Sequence, residues 1–221
     1  MRWARDNGLS LFFGAIFLVS LVFQSIAGHA VFNDDARMHG SETVSYARYL
    51  VSSHFGQGVL ENWQSEYLQF SLMILATIWL VQKGSTESKP DVGRESDEEQ
   101  KVGPHAEPDS PAWARARGWR RAVYSDSLLI LMALIFVASW FGQSVTGWTE
   151  FNGQQRDHDQ PAVSWSGYLT EASFWEDTLQ NWQSEFLAVG SMAVFSIFLR
   201  ARGSAESKPV GEPHDATGSG G

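Results

Sequence analysis

Glu66 and Glu185 close the same five-residue motif, Asn-Trp-Gln-Ser-Glu, at residues 62–66 and 181–185, and each stands at the head of an apolar run, Tyr67–Val81 and Phe186–Leu199. A carboxylate entering hydrocarbon is costly, so its presence points to a bound cation, a relayed proton or a held amine. Depth strengthens the point. Counted from Lys83 and Arg200 at the inner helix ends, Glu66 lies ~25 Å up and Glu185 ~22 Å up a core about 30 Å thick. Gln24, counted from Leu9, and Gln143, counted from Ser127, reach ~22 and ~24 Å by the same rise.

Helical spacing gathers further polar groups at this level. Ser20, Gln24 and Gly28 recur every four residues, as do Ser139, Gln143 and Gly147, which puts a small and polar stripe on one side of each helix. Asn62, Ser65 and Glu66 make a matching stripe, and so do Asn181, Ser184 and Glu185. Small residues let helix backbones approach, and amides and hydroxyls bond across the gap where lipid offers no partner. The expectation is one polar layer in the outer half of a four-helix bundle, formed by Gln24, Asn62, Ser65, Glu66, Gln143, Asn181, Ser184 and Glu185. Its plain use is structural: Gln24 bonding Glu66, and Gln143 bonding Glu185, would fix helix register. Its sharper use is ion or proton handling by the two carboxylates. Trp63 and Trp182, beside them, fit an aromatic belt at the outer interface.

Arg37-x-His39 and Arg156-x-His158 recur in the outer loops, and Asp157-His158-Asp159 offers hard-metal ligands. No acid flanks His39, and such clusters beside a span read as hydrated turns. His29, His54, His105 and His214 have no histidine at the corresponding repeat position. No Gly-rich phosphate loop, paired membrane histidines or Ser/His/Asp set stands out. No catalytic residue, metal ligand or cofactor is therefore assigned, and an enzyme is the minority reading.

These residues are positioned by a duplicated unit. A shift of 119 positions (181 − 62) aligns residues 9–90 with 128–209 without a gap; it matches Gln24-Ser25 with Gln143-Ser144, Phe32-Asn33 with Phe151-Asn152 and Lys89-Pro90 with Lys208-Pro209. About two positions in five are identical, which marks a true repeat. Each unit holds two apolar runs. Leu9–Phe32 and Ser127–Val145 are free of charge and close to the ~20 residues that cross a bilayer. Tyr67–Val81 and Phe186–Leu199 are shorter and must borrow their neighbours. A net charge of −9 and a mean hydropathy of −0.20 would suggest a soluble acidic protein, but the local runs overrule the average. The first run follows Arg2 and Arg5 as a secretory signal would; its length and its mid-chain copy mark it as an uncleaved span. With no cysteine, disulfides, haem thioethers and thiolate metal sites are excluded.

Basic residues set the orientation. Arg2 and Arg5 precede the first run, eight Lys and Arg from Lys83 to Arg121 lie between the second and third, and Arg200, Arg202 and Lys208 follow the fourth, against only Arg37, Arg48 and Arg156 in the other loops. Both termini and the central linker are therefore expected in the cytoplasm, with residues 33–61 and 152–180 outside. The fold class that follows is an all-α integral membrane protein: four transmembrane helices from two parallel two-helix repeats, with small helical outer caps near Tyr46–Phe55 and Trp165–Thr170. Ser173-Phe174-Trp175-Glu176 has capping-box spacing and should open the fourth helix.

Residues 1–83 form the first repeat and 127–202 the second. Residues 84–111, rich in Gly, Pro, Ser and acid, read as a disordered cytoplasmic linker. Residues 112–126 carry Trp113, Trp119, Tyr124 and four arginines, which suits an interfacial segment against anionic lipid, although ordinary flanking charge explains the arginines as well. Residues 203–221 read as a flexible cytoplasmic tail ending in Gly218-Ser219-Gly220-Gly221.

The doubled Asn-Trp-Gln-Ser-Glu motif, followed by Tyr-Leu or Phe-Leu, resembles a family of small bacterial membrane proteins catalogued as a domain of unknown function. The resemblance covers both repeats, implies a bacterial inner membrane and supplies no activity. Three classes of function stay open. One is a non-enzymatic envelope component that binds lipid, a membrane partner or a second copy; another is a small cation- or proton-coupled transporter or channel using Glu66 and Glu185. The third is a membrane enzyme with those carboxylates as acid and base. Nucleic acid is not among the expected partners.

Overall fold

The computed structural model describes residues 2–218, so the end of the Gly/Ser tail lies outside it. Among these residues the fold is all-helical, without strands. The elements are α1 (Arg2–Asp6), α2 (Gly8–Met38), α3 (Tyr46–Leu50), α4 (Ser53–Trp79), a single 3₁₀ turn (Gly103–His105), α5 (Trp119–Ser125), α6 (Ser127–Asp157), α7 (Trp165–Tyr168) and α8 (Ala172–Phe198).

Helices α2 and α6 are long and apolar enough to cross a membrane, with mean hydropathy of 2.2 and 2.1 in their most apolar windows. Protein buries only 6% of that window in α2 and 17% in α6. The core helix of a water-soluble domain would be covered, so lipid is the surrounding these surfaces fit. Each helix has 31 residues, or about 46 Å, and so outruns a hydrocarbon core of ~30 Å by several turns. Helices α4 and α8, at 27 residues each, are also long enough at ~40 Å. Their first halves, however, carry Glu61, Asn62, Gln64 and Glu66, and Asp177, Asn181, Gln183 and Glu185. By length and apolarity the expectation of four spans is met by two helices only.

Packing divides the chain into two units, Met1–Val59 with Gly142–Tyr168, and Leu60–Phe141 with Leu169–Gly221. The first unit contains one device built twice. Asn33 spends both ends of its amide on the main chain of Val44: Nδ2 donates to the carbonyl at 3.0 Å and Oδ1 accepts from the N–H at 2.7 Å. Asn152 does the same to Val163, at 3.0 and 2.8 Å. Each clamp leads directly into a short helix, α3 or α7. Tyr46 Oη then lies 2.6 Å from Ser25 Oγ, and Trp165 Nε1 donates to Ser144 Oγ at 3.2 Å. His29 Nε2 sits 2.8 Å from the Val44 carbonyl, and Trp148 Nε1 donates to the Val163 carbonyl at 2.8 Å. His29 thus has a counterpart in role, 119 positions on (148 − 29), which residue identity does not reveal. Tyr49 and Tyr168, each 3% exposed, complete the caps by laying their hydroxyls against Gly28 and Gly147.

In the second unit the turns after α4 and α8 also match. Gly84 and Gly203 take the left-handed backbone at φ of 87° and 85°, which glycine adopts without steric cost. Ser88 Oγ accepts from the Gln82 N–H at 3.0 Å, and Ser207 Oγ from the Ala201 N–H at 2.9 Å. Lys89 Nζ donates to the Gly93 carbonyl at 2.6 Å, while Lys208 Nζ donates to those of Pro213, His214 and Ala216 at 3.2, 2.9 and 3.1 Å. Composition alone assigns these stretches to disorder, yet Gly84–Pro90 and Gly203–Pro209 are closed turns, because their Ser and Lys side chains bond the local main chain. The start of α8 differs from expectation as well. Glu171 is its N-cap and makes no side-chain cap bond, and Ser173 Oγ is buried without a partner among the described residues, so the capping box is not formed.

A methyl group at Gly28 would overlap the Tyr49 hydroxyl oxygen. Gly28→Ala is expected to destabilise the protein by about 1–3 kcal/mol, the usual cost of overpacking. Removing the obstructing oxygen with Tyr49→Phe in the same chain should restore part of that loss, which thermal unfolding in detergent measures.

Candidate functional site

The second unit holds most of the motif residues, on α4 and α8. Trp182 Nε1 donates to Gln64 Oε1 at 2.7 Å, and Gln64 is completely buried. Asn181 Nδ2 donates to Glu61 Oε1 at 2.6 Å and to the Asp177 carbonyl at 3.0 Å. Ser65 and Ser184 each donate to a carbonyl three residues back, that of Asn62 or Asn181, at 2.8 Å. A helical serine bonded in this way holds its own turn and not the neighbouring helix. Ser65 is buried and Ser184 exposed; Asn62 is exposed and Asn181 half-buried. Glu66 is exposed and Glu185 half-buried, and both belong to this unit. Neither α4 nor α8 carries a Lys or Arg. Carboxylates on helices without Lys or Arg suit a proton or cation and disfavour an anion.

Two expected members of the layer belong to the first unit. Gln24 is exposed, whereas Gln143 is 2% exposed and its Oε1 has no hydrogen-bond partner among the described residues. The loop residues end their helices. His39 Nδ1 lies 3.0 Å from the Asp35 carbonyl and His158 Nδ1 2.8 Å from that of Gln154, each closing the last turn of α2 or α6. Arg37 pairs with Asp34 one turn back, in full exposure. The exposed Arg156 is the basic residue in the last turn of α6.

Gln64, Glu61, Ser53, His54 and Glu150 are not among the expected site residues. Gln64 lies inside the motif, and its donor is Trp182. The other group shares the first unit with the caps: Ser53 Oγ donates to Glu150 Oε1, and His54 Nδ1 lies 3.6 Å from Glu150 Oε2. Serine here faces the carboxylate and not the imidazole. That arrangement holds two helices together and does not activate a nucleophile. It breaks the repeat, since position 31, the counterpart of Glu150 (150 − 119), is Val31.

The chain belongs to the family described as a domain of unknown function, DUF6766, whose model matches residues 1–219. No curated protein and no solved structure matches it.

The His54–Glu150 pair predicts a pH dependence. Both groups lie past the apolar runs, Glu150 about 35 Å along α6 from Ser127. The hydrogen bond to Glu150 raises the His54 pKa above its ordinary 6.5, against the opposing effect of burial. Burial would raise Glu150, but its bonds to His54 and Ser53 hold it below 4.5. A raised histidine stabilises below 6.5 and loses that contribution as pH climbs through its folded value; a lowered carboxylate stabilises above 4.5 and loses it on acidification. The full contribution therefore lies between 4.5 and 6.5. With the His54 side chain 47% exposed, it is worth no more than about 1 kcal/mol. Thermal stability should fall as the pH rises above 6.5, and Glu150→Gln should flatten that fall.

Proposed function

We infer that the chain is a non-enzymatic multi-pass protein of the bacterial inner membrane, an envelope accessory component that presents its two outer caps to lipid or a membrane partner. In this reading α4 and α8 cross as well as α2 and α6, and both termini and the central linker are cytoplasmic. The observation that carries it is the doubled cap. Asn33 and Asn152, with Tyr49 and Tyr168, commit their polar groups to holding two short helices in place, which is the investment of a presenting surface rather than of a reaction centre. The basic turns and the Arg-rich segment before α6 suit the cytoplasmic side.

The second reading, a small cation- or proton-coupled transporter or channel, is favoured by one observation: Glu66 and Glu185 lie in one unit. A membrane enzyme would need the same two groups to face a bound substrate.

Glu66→Gln together with Glu185→Gln separates these readings, because it keeps shape and hydrogen bonding and removes only ionisation. The expected outcome is a normally inserted protein that restores a deletion strain as well as the unaltered chain does. A stably inserted double variant that fails to restore it would overturn the accessory reading in favour of transport.

A further inference from the structure

Three buried polar atoms in the second unit have no hydrogen-bond partner among the described residues: Gln64 Nε2, Trp140 Nε1 and Thr178 Oγ1. They belong to one aromatic cluster. Phe174, Thr178 and Trp182 succeed one another every four residues along α8 and so share a face. Phe174 and Trp182 both pack on the Trp140 ring, with centroids 6.2 and 6.1 Å away, and Phe136 stacks on it at 5.7 Å. Trp182 in turn donates to Gln64. Gln64 and Thr178 are both completely buried.

Orphaned polar atoms of this kind cost about 1–3 kcal/mol each, and the first repeat has apolar residues at two of the corresponding positions. The positions corresponding to Trp140 and Thr178 in the first repeat are Leu21 (140 − 119) and Val59 (178 − 119). An apolar pair is thus the chain's own alternative, and the second repeat has an N–H and an O–H in its place.

We propose that Gln64, Trp140 and Thr178 form a binding site for a buried water. The donor set selects the guest. An indole N–H and an amide NH₂ only donate, and the Gln64 carbonyl oxygen already accepts from Trp182, so the guest must accept at least two hydrogen bonds. A cation cannot. An anion would share the unit with Glu61, Glu66, Asp177 and Glu185, with no Lys or Arg on either helix to offset them. Water is neutral, accepts twice and still has a proton for the Thr178 hydroxyl, the two-to-four-bond environment in which internal waters are held. The site does not depend on whether the protein presents a surface or carries a cation.

The test uses the full chain in detergent micelles, with the Trp140 indole resonance assigned through Trp140→Phe. Water-selective magnetisation transfer should reach the Trp140 Nε1–H and should not reach that of Trp182, which is bonded to Gln64. Thr178→Val, which installs the residue found at position 59, should lower the melting temperature, because it takes a partner from the water. No transfer to Trp140 would overturn the site. So would a melting temperature that is unchanged or raised in Thr178→Val, since deleting a dry orphan hydroxyl is stabilising. A Trp140 resonance that titrates with chloride would make it an anion site and would equally overturn the proposal.

Discussion

A polar group on a long apolar helix must find its partner within the protein, because lipid supplies none. That constraint explains which side chains this fold uses and where. In α2 and α6 the apolar surface is left open, and several of the buried polar side chains have a defined task. Asn33 and Asn152 clamp a main-chain strand of loop, Ser25 and Ser144 receive a ring hydroxyl or indole, and Gln64 receives Trp182. Each asparagine satisfies one N–H and one C=O of a loop that has no sheet or helix to do so.

Much of the helical framework is legible in the sequence. Charge-free runs place α2 and α6, and the motif at 62–66 and 181–185 lies within α4 and α8. The short helices near Tyr46 and Trp165 follow from aromatic and aliphatic spacing. The partners of single side chains are less legible, because a partner is chosen by tertiary geometry that spacing does not encode. Gln24 and Gln143 occupy the same repeat position, yet one is exposed and the other buried. His29 and Trp148 share a carbonyl-binding role that no comparison of residue types would suggest. The Gly-Ser-rich turns mislead in the opposite sense: composition reads them as unstructured, although left-handed glycines and local Ser and Lys bonds close them.

The repeat also shows where the two halves diverge. Leu21 and Val59 against Trp140 and Thr178, and Val31 against Glu150, are apolar residues in one copy and polar ones in the other. These differences give the second copy groups with hydrogen-bonding or titrating capacity. The family model matches residues 1–219, which cover both copies and the segment between them.

The proposal that α4 and α8 cross the membrane along with α2 and α6 is tested most directly by the location of the segment between the repeats. Cysteines introduced singly as Ser41→Cys, Ser96→Cys and Gln160→Cys, in a chain that has none of its own, can be exposed to an impermeant maleimide in intact cells. Four crossings predict labelling at positions 41 and 160 and protection at position 96 until the membrane is permeabilised. If α2 and α6 alone cross, positions 41 and 96 lie on the same side. Equal labelling of Ser41→Cys and Ser96→Cys in intact cells would contradict the account.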